Sequence, residues 1–270
     1  MANVQPPALA AAASNAGALG TVAGAALSAD ALRAAIREVR SLTDAPFGVN
    51  VFAPPYLRDG ALDVVLEERP RFLSFTFGLL DPEPLQAAGI AVLGTATTAE
   101  EAGALEATGV DAVVAQGAEA GGHRGTFLGS FEDGLVPLDE LLGSLDLSVP
   151  VIAAGGIADA EDVRRVRTLG AAGVQVGTAF LFTHEAGVAR EHLDALRRYD
   201  TVVTPAYTGR HMRAARTPVL EELMGKTPLP YPEQRAVSAE RGPVYMGGTS
   251  ARRARGQSVA ALIDELAAGF

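Results

Sequence analysis

The chain is 270 residues long, 48% hydrophobic and 20% charged, with a formal net charge of −10 and no cysteine. That length and balance fit a globular chain with a sizeable core, and they exclude disulfides, thiol nucleophiles and cysteine-ligated metals. The acidic balance also lacks the basic stripe of a nucleic-acid surface, and the absence of cysteine fits a cytoplasmic protein.

Residues 1–29 carry no charged side chain, but no Lys or Arg precedes the apolar part, and Ser14-Asn15-Ala16-Gly17 interrupts it. The stretch therefore reads as a buried helix over 7–15 and a strand over 19–23, rather than a signal peptide or membrane span. Segment 29–41 has Leu32, Ile36 and Val39 at helical spacing opposite Arg33, Arg37 and Arg40. A strand over 47–52 ends at Pro54-Pro55, a helix follows over 59–68, and a strand over 71–77 stops at Gly78. A short helix over 82–88 precedes a strand over 90–94. Thr97 or Thr98 then opens a helix, each with a glutamate three residues on, the capping-box spacing. Beyond the helix-stop Gly109, the apolar run 111–115 breaks into a glycine-rich loop with a single histidine, His123. A helix over 138–145, a strand over 149–153, a helix capped by Asp159 and a strand over 173–178 complete the pattern, and a helix over 187–198 follows the last strand.

Regular alternation of seven strands with helices predicts an α/β fold with one parallel sheet, a TIM (β/α)8-type barrel lacking its first strand. A doubly wound open sheet is the alternative. Residues 1–200 are assigned to the barrel, and 201–270 to an extension of helices and loops packed on it as part of the same domain. The amphipathic helix over 258–268 is a candidate lid or homodimer contact, and Arg252-Arg253-Ala254-Arg255 reads as a solvated helix face or a counter-charge for an anionic cofactor.

Loops after barrel strands build active sites, and glycines let a ligand approach the backbone. Gly117, Gly121 and Gly122 open the loop around His123, whose imidazole has the pKa range for proton abstraction near neutrality. The other histidines, His184, His192 and His211, read as structural, and no second ligand stands at metal spacing. Gly155-Gly156 and Gly177-Thr178 close the last two strands, where backbone N–H groups commonly hold a phosphate. Asn50 and Gln116 each end an apolar strand; their amides either bond the edge of a planar heterocycle or satisfy a loop carbonyl. Gly225-Lys226-Thr227 mimics a phosphate-loop ending, but Leu220 stands where that loop needs glycine.

The segments 116–127, 153–157 and 177–181, with further matches at 10–20, 47–52, Gly209-Arg210 and 245–250, resemble the nitronate monooxygenases, formerly 2-nitropropane dioxygenases. The resemblance implies a TIM barrel with non-covalent FMN, a nitronate substrate and dioxygen as acceptor, with a carbonyl compound and nitrite as products. It makes His123 the base that removes the proton α to the nitro group. Asn50 and Gln116 fall at flavin-contacting positions, Gly155, Gly156, Gly177 and Thr178 at the phosphate cradle. Tyr245, Gly247 and Thr249 fall where the family closes over the flavin, although Tyr245-Met246-Gly247-Gly248-Thr249 departs from its aromatic-Ala-Gly-Gln pattern. Met1-Ala2 aligns with the end of the family's first strand. A flavin-dependent NAD(P)H:quinone or enoyl-thioester reductase of the same superfamily, and a catalytically silent barrel, are the competing readings.

Overall fold

The computed structural model describes residues 6–270. Helix α1 (Pro7–Asn15) leads into β1 (Gly20–Ala23), α2 (Ala29–Leu42), β2 (Phe47–Phe52), α3 (Ala61–Glu68), β3 (Phe72–Thr76) and α4 (Glu83–Ala87). Then come β4 (Ala91–Ala96), α5 (Ala99–Ala107), β5 (Ala112–Gln116), the two-residue β6 (Gly122–His123), α6 (Leu138–Ser144), β7 (Val151–Ala154), α7 (Ala160–Thr168) and β8 (Gly173–Gln175). The chain finishes with α8 (Arg190–Arg198), β9 (Thr201–Thr204), β10 (Met212–Ala215), α9 (Pro218–Met224), α10 (Glu233–Ala239) and α11 (Val259–Ala267).

Seven strands form one parallel sheet in the order β1-β2-β3-β4-β5-β7-β8. The order follows the chain without reversal, so the sheet curls as part of a barrel and has no switch point of the doubly wound kind. The expectation for Met1-Ala2 lies outside the described residues.

The elements form where local chemistry directs. Ser28, Thr98 and Asp159 cap α2, α5 and α7 by accepting backbone N–H bonds. Leu32, Ile36 and Val39 point inward from α2 and are fully buried, while Arg37 and Arg40 turn outward to bond Glu68 at 2.8 and 2.7 Å. Helix α1 lies so close to β1 that a Cβ on Gly20 would sit 1.9 Å from the Ala10 carbonyl. Buried Ser14 fixes the contact, donating to Pro46 O at 2.9 Å and accepting from Gly20 N at 3.2 Å.

Two apolar clusters divide the barrel. One gathers Val49, Val51, Leu73, Phe75 and Val92 with α2, α3 and α5. The other gathers Ala115 and Ala153 with α6, α7, Leu196 of α8, and Leu262 and Leu266 of α11. A smaller cluster of Leu9, Val259 and Ile263 docks α11 on α1. No described helix is long and apolar enough to cross a membrane.

Three expectations require correction. The extension is not helices and loops alone: β9 and β10 pair antiparallel, and β10 pairs with β6 to give a three-stranded sheet. The helix anticipated from residue 187 starts at Arg190, because Gly187 adopts a left-handed φ of 60° and breaks the turn before it. Arg252, Arg253 and Arg255 do not form a helix face. They line a groove of about 620 Å³ and are held by carboxylates, Arg252 by Asp200 at 2.7 Å, Arg253 by Asp162 at 2.8 Å and Arg255 by Glu265 at 3.2 Å.

Candidate active site

The small sheet determines the site. Met212 of β10 sits opposite His123, so the loop 117–125 is clamped between the barrel's carboxyl end and the extension. Gln116 fastens the loop from below: its Oε1 accepts from Gly125 N at 2.8 Å and its Nε2 donates to His123 O at 3.2 Å. Of the two readings of this amide, the loop-bonding one describes its contacts. Asn50, on β2, donates to Ser74 Oγ at 3.0 Å and lies half-buried at the same end of the sheet.

The glycine turns meet the His123 loop. Gly155 and Gly156 have φ of 115° and 72°, a pair of left-handed residues that only glycine takes readily. A Cβ at Gly155 would lie 2.9 Å from Ala120 N, and one at Gly121 would lie 2.4 Å from Gly248 N. Gly117 packs against Leu138, and Gly122 pairs with Arg213 across β6 and β10. Gly177 caps the one-turn helix begun by Thr178. The Thr178 Oγ1 accepts from Gly248 N at 2.8 Å, and Thr249 N donates to Glu119 O at 3.0 Å. Turns 155–156, 177–178 and 247–249 therefore join the His123 loop at one mouth. Gly247 packs on Leu196, whereas the Tyr245 ring turns to His192, 5.2 Å away. His192 itself donates Nε2–H to Met246 O at 2.8 Å, a structural role as expected.

His123 is surrounded by rings and cations. Phe77 and Tyr231 meet it edge-on at centroid distances of 5.9 and 5.6 Å, and Tyr56 packs on both. Phe77 has a φ of 80°, unusual for a side-chain-bearing residue and of the kind that gathers at functional sites. Its ring carries the Arg210 guanidinium at 3.9 Å. Burial, then the positive charges of Arg210 and Arg235, push the His123 imidazole down to about 3. It is neutral at pH 7.

Three guanidiniums stand around the loop, Arg124, Arg210 and Arg213, and among the described residues none forms an ion pair. Arg124 is 1% exposed and donates to the carbonyls of Gly117, Gln116 and Gly134. Arg213 donates to Ala118 O at 2.8 Å, and Arg210 to Thr126 O. The Nε atoms of Arg124 and Arg210 are buried without a partner. Burial, and then Arg213, lower Arg124 to about 10, with Glu119 and Glu101 opposing at longer range. Glu101 also acts on Arg210 and Glu119 on Arg213, so three guanidiniums face two carboxylates and the cluster keeps an excess of positive charge.

Known proteins resemble this chain in sequence and fold. The sequence pattern of the nitronate monooxygenase family matches residues 1–60 and 55–268. The chain belongs to the nitronate monooxygenase family. It is an oxidoreductase of that family and is 42% identical to the nitronate monooxygenase of Pseudomonas aeruginosa over 260 residues, 79% of this chain and 74% of that relative. A probable nitronate monooxygenase of Bacillus subtilis is 38% identical over 279 residues, 87% of this chain and 80% of the relative. Among solved structures, a nitroalkane oxidase from Streptomyces ansochromogenes superposes with a TM-score of 0.91 at 35% identity, covering 100% of this chain and 93% of that one. FabK from Thermotoga maritima superposes with a TM-score of 0.86 at 31% identity, covering 100% and 90%.

Within this member of the nitronate monooxygenase family, the sequence alone assigned no role to Thr208, Arg210, Arg213, Tyr56 or Tyr231. The sign of Arg210 was its place beside Gly209 in a Pro- and Gly-rich stretch. Nothing local in the sequence ties that stretch to His123.

Proposed function

We propose that the chain oxidises alkyl nitronates with dioxygen to a carbonyl compound and nitrite, using FMN held at the carboxyl ends of β5, β7 and β8. One observation carries the reading: a neutral imidazole and an inward positive patch share the mouth at which the three glycine turns converge. The residues fit FMN. Consecutive left-handed glycines at 155 and 156 form the kind of backbone concavity that accepts a phosphate, with no Cβ in its path. Gly177 and Thr178 border it from β8, Gly122 has open space beside it, and the close packing of Gly121 on the 247–248 turn holds Gly247 and Thr249 near it. Asn50, Gln116 and Tyr245 would flank the ring.

When bound, FMN supplies an electron acceptor that dioxygen reoxidises. The protein's part is electrostatic and positional. Arg124, Arg210 and Arg213 favour an anion, which is what a nitronate is and a neutral nitroalkane is not. The neutral His123 can take the α-proton of a nitroalkane, and the negative charge of the nitronate so formed offsets the imidazolium beside Arg210. A preformed nitronate has no such proton and would draw only on the positive charge of the arginines. The ring of Phe77, Tyr56 and Tyr231 excludes water.

The test is anaerobic mixing of the FMN-loaded protein with propionate 3-nitronate and, separately, with NADH or NADPH. Bleaching of the visible flavin band by the nitronate is the expected outcome. Bleaching by the nicotinamide alone would instead mark a flavin reductase, and a protein left colourless after incubation with FMN would mark a silent barrel.

A further inference from the structure

The His123 imidazole has one hydrogen-bond partner among the described residues: its Nε2 lies 3.0 Å from Thr208 Oγ1. Thr208 is fully buried on the turn before β10. Its hydroxyl also lies 2.7 Å from Arg210 O and 3.3 Å from Arg210 N. A hydroxyl has one proton to donate and two lone pairs to accept with. Two oxygens at 2.7 Å repel unless a proton lies between them, and a carbonyl has none to give, so the Thr208 proton is committed to Arg210 O. Both lone pairs are then left for N–H groups. The Arg210 N–H takes one, and the His123 Nε2 can face the other only as N–H.

We infer that Thr208 is a positioning residue that fixes His123 as the Nε2–H tautomer and leaves the Nδ1 lone pair as the atom that meets substrate. The Thr208 hydroxyl and the Nε2–H are then both satisfied, which the opposite tautomer cannot achieve, because two lone pairs would confront each other in a buried site. The register of the small sheet brings the trio together, since Met212 opposite His123 fixes where the turn 205–211 can reach. The inference rests on the reading of His123 as the base, and it adds which nitrogen acts and what holds the proton on the other.

The experiment uses the FMN-loaded protein labelled with [15N]histidine, the His123 resonances being identified by their loss in His123→Asn. The expected spectrum has a protonated Nε2 and an unprotonated Nδ1. Thr208→Val, close in shape but without the acceptor, should move the proton toward Nδ1 and lower kcat with a neutral nitroalkane by about 10²-fold. Thr208→Ser should restore both. A wild-type ring protonated at Nδ1 would overturn the inference, as would a valine variant with unchanged tautomer and kcat. If the valine variant does not fold, the wild-type spectrum decides alone. Should His123→Asn keep full turnover, the base assignment falls, yet the tautomer remains readable on its own.

Discussion

Two arginine clusters in this molecule sit in opposite electrostatic settings. On the outer face of the first half, Arg37 and Arg40 converge on Glu68, whose side chain is 7% exposed while theirs are 65% and 45% exposed. Burial pushes the Glu68 carboxyl up, but the bonds from Arg40 and Arg37 outweigh it and hold it below its usual range. At the mouth of the second half, Arg124, Arg210 and Arg213 are more deeply enclosed and bind only neutral groups. Stability alone would select the first arrangement, since a buried charge without a counter-charge is expensive. The second is tolerated where an anion arrives to complete it.

Substitutions can break this contrast. The largest expected effect is on Gly121→Val, whose Cβ would press into Gly248 N at 2.4 Å and part the loop from the 247–249 turn. FMN affinity should fall by at least about 10²-fold, or about 3 kcal/mol, read by loss of bound flavin on purification. In the first half, Gly103 has open space around an added Cβ, and Gly103→Ala should raise stability by about 0.5–1 kcal/mol with flavin content unchanged.

The arginines sharpen the comparison next. Arg210→Met should raise KM for an anionic nitronate about 10-fold or more while leaving the melting temperature equal or higher, because a buried charge with no ion-pair partner within bonding distance is removed. Glu68→Gln should do the reverse, lowering stability by about 1–2 kcal/mol with kcat and KM unchanged. Equal effects of both on KM would erase the distinction between the clusters.

Acid titration gives a smaller signal. His123 is held at about 3, below its ordinary value of 6.5, so the unfolded chain takes up the proton first as pH falls. Its stabilising contribution is complete above about 6.5 and is lost progressively down to about 3. Melting temperature should therefore drop more steeply over that window in the wild type than in His123→Asn. Correspondingly, kcat/KM for a nitronate should show no acid limb near pH 6.5.

The two halves also differed in how much the sequence disclosed. In the first, strands such as Phe72–Thr76 are short, mostly apolar runs, and helices such as Ala29–Leu42 carry a cap and an apolar stripe, so local signals suffice. The glycine turns and His123 were legible for the same reason, as short motifs at strand ends. Strands β9 and β10 were not: each is four residues long, and besides pairing with each other, β10 meets a two-residue partner far away in the chain. Thr208 and Arg210 stand beside His123 through that distant pairing, so although Gly209-Arg210 was part of the family resemblance, no local pattern tied either residue to His123. Glu101 taught a similar lesson. The capping-box spacing was right, but its carboxylate bonds Thr97 N at 2.6 Å and Leu128 N at 2.9 Å, tying α5 to the segment after the His123 loop.

The central claim is that one mouth holds a flavin beside an imidazole that takes the α-proton of a nitroalkane. The most direct measurement is rapid anaerobic mixing of a neutral nitroalkane with FMN-loaded wild type and His123→Asn, after matching their FMN affinities. The account predicts that the variant keeps its flavin yet bleaches at least about 10²-fold more slowly. Bleaching of both proteins at the same rate would contradict it.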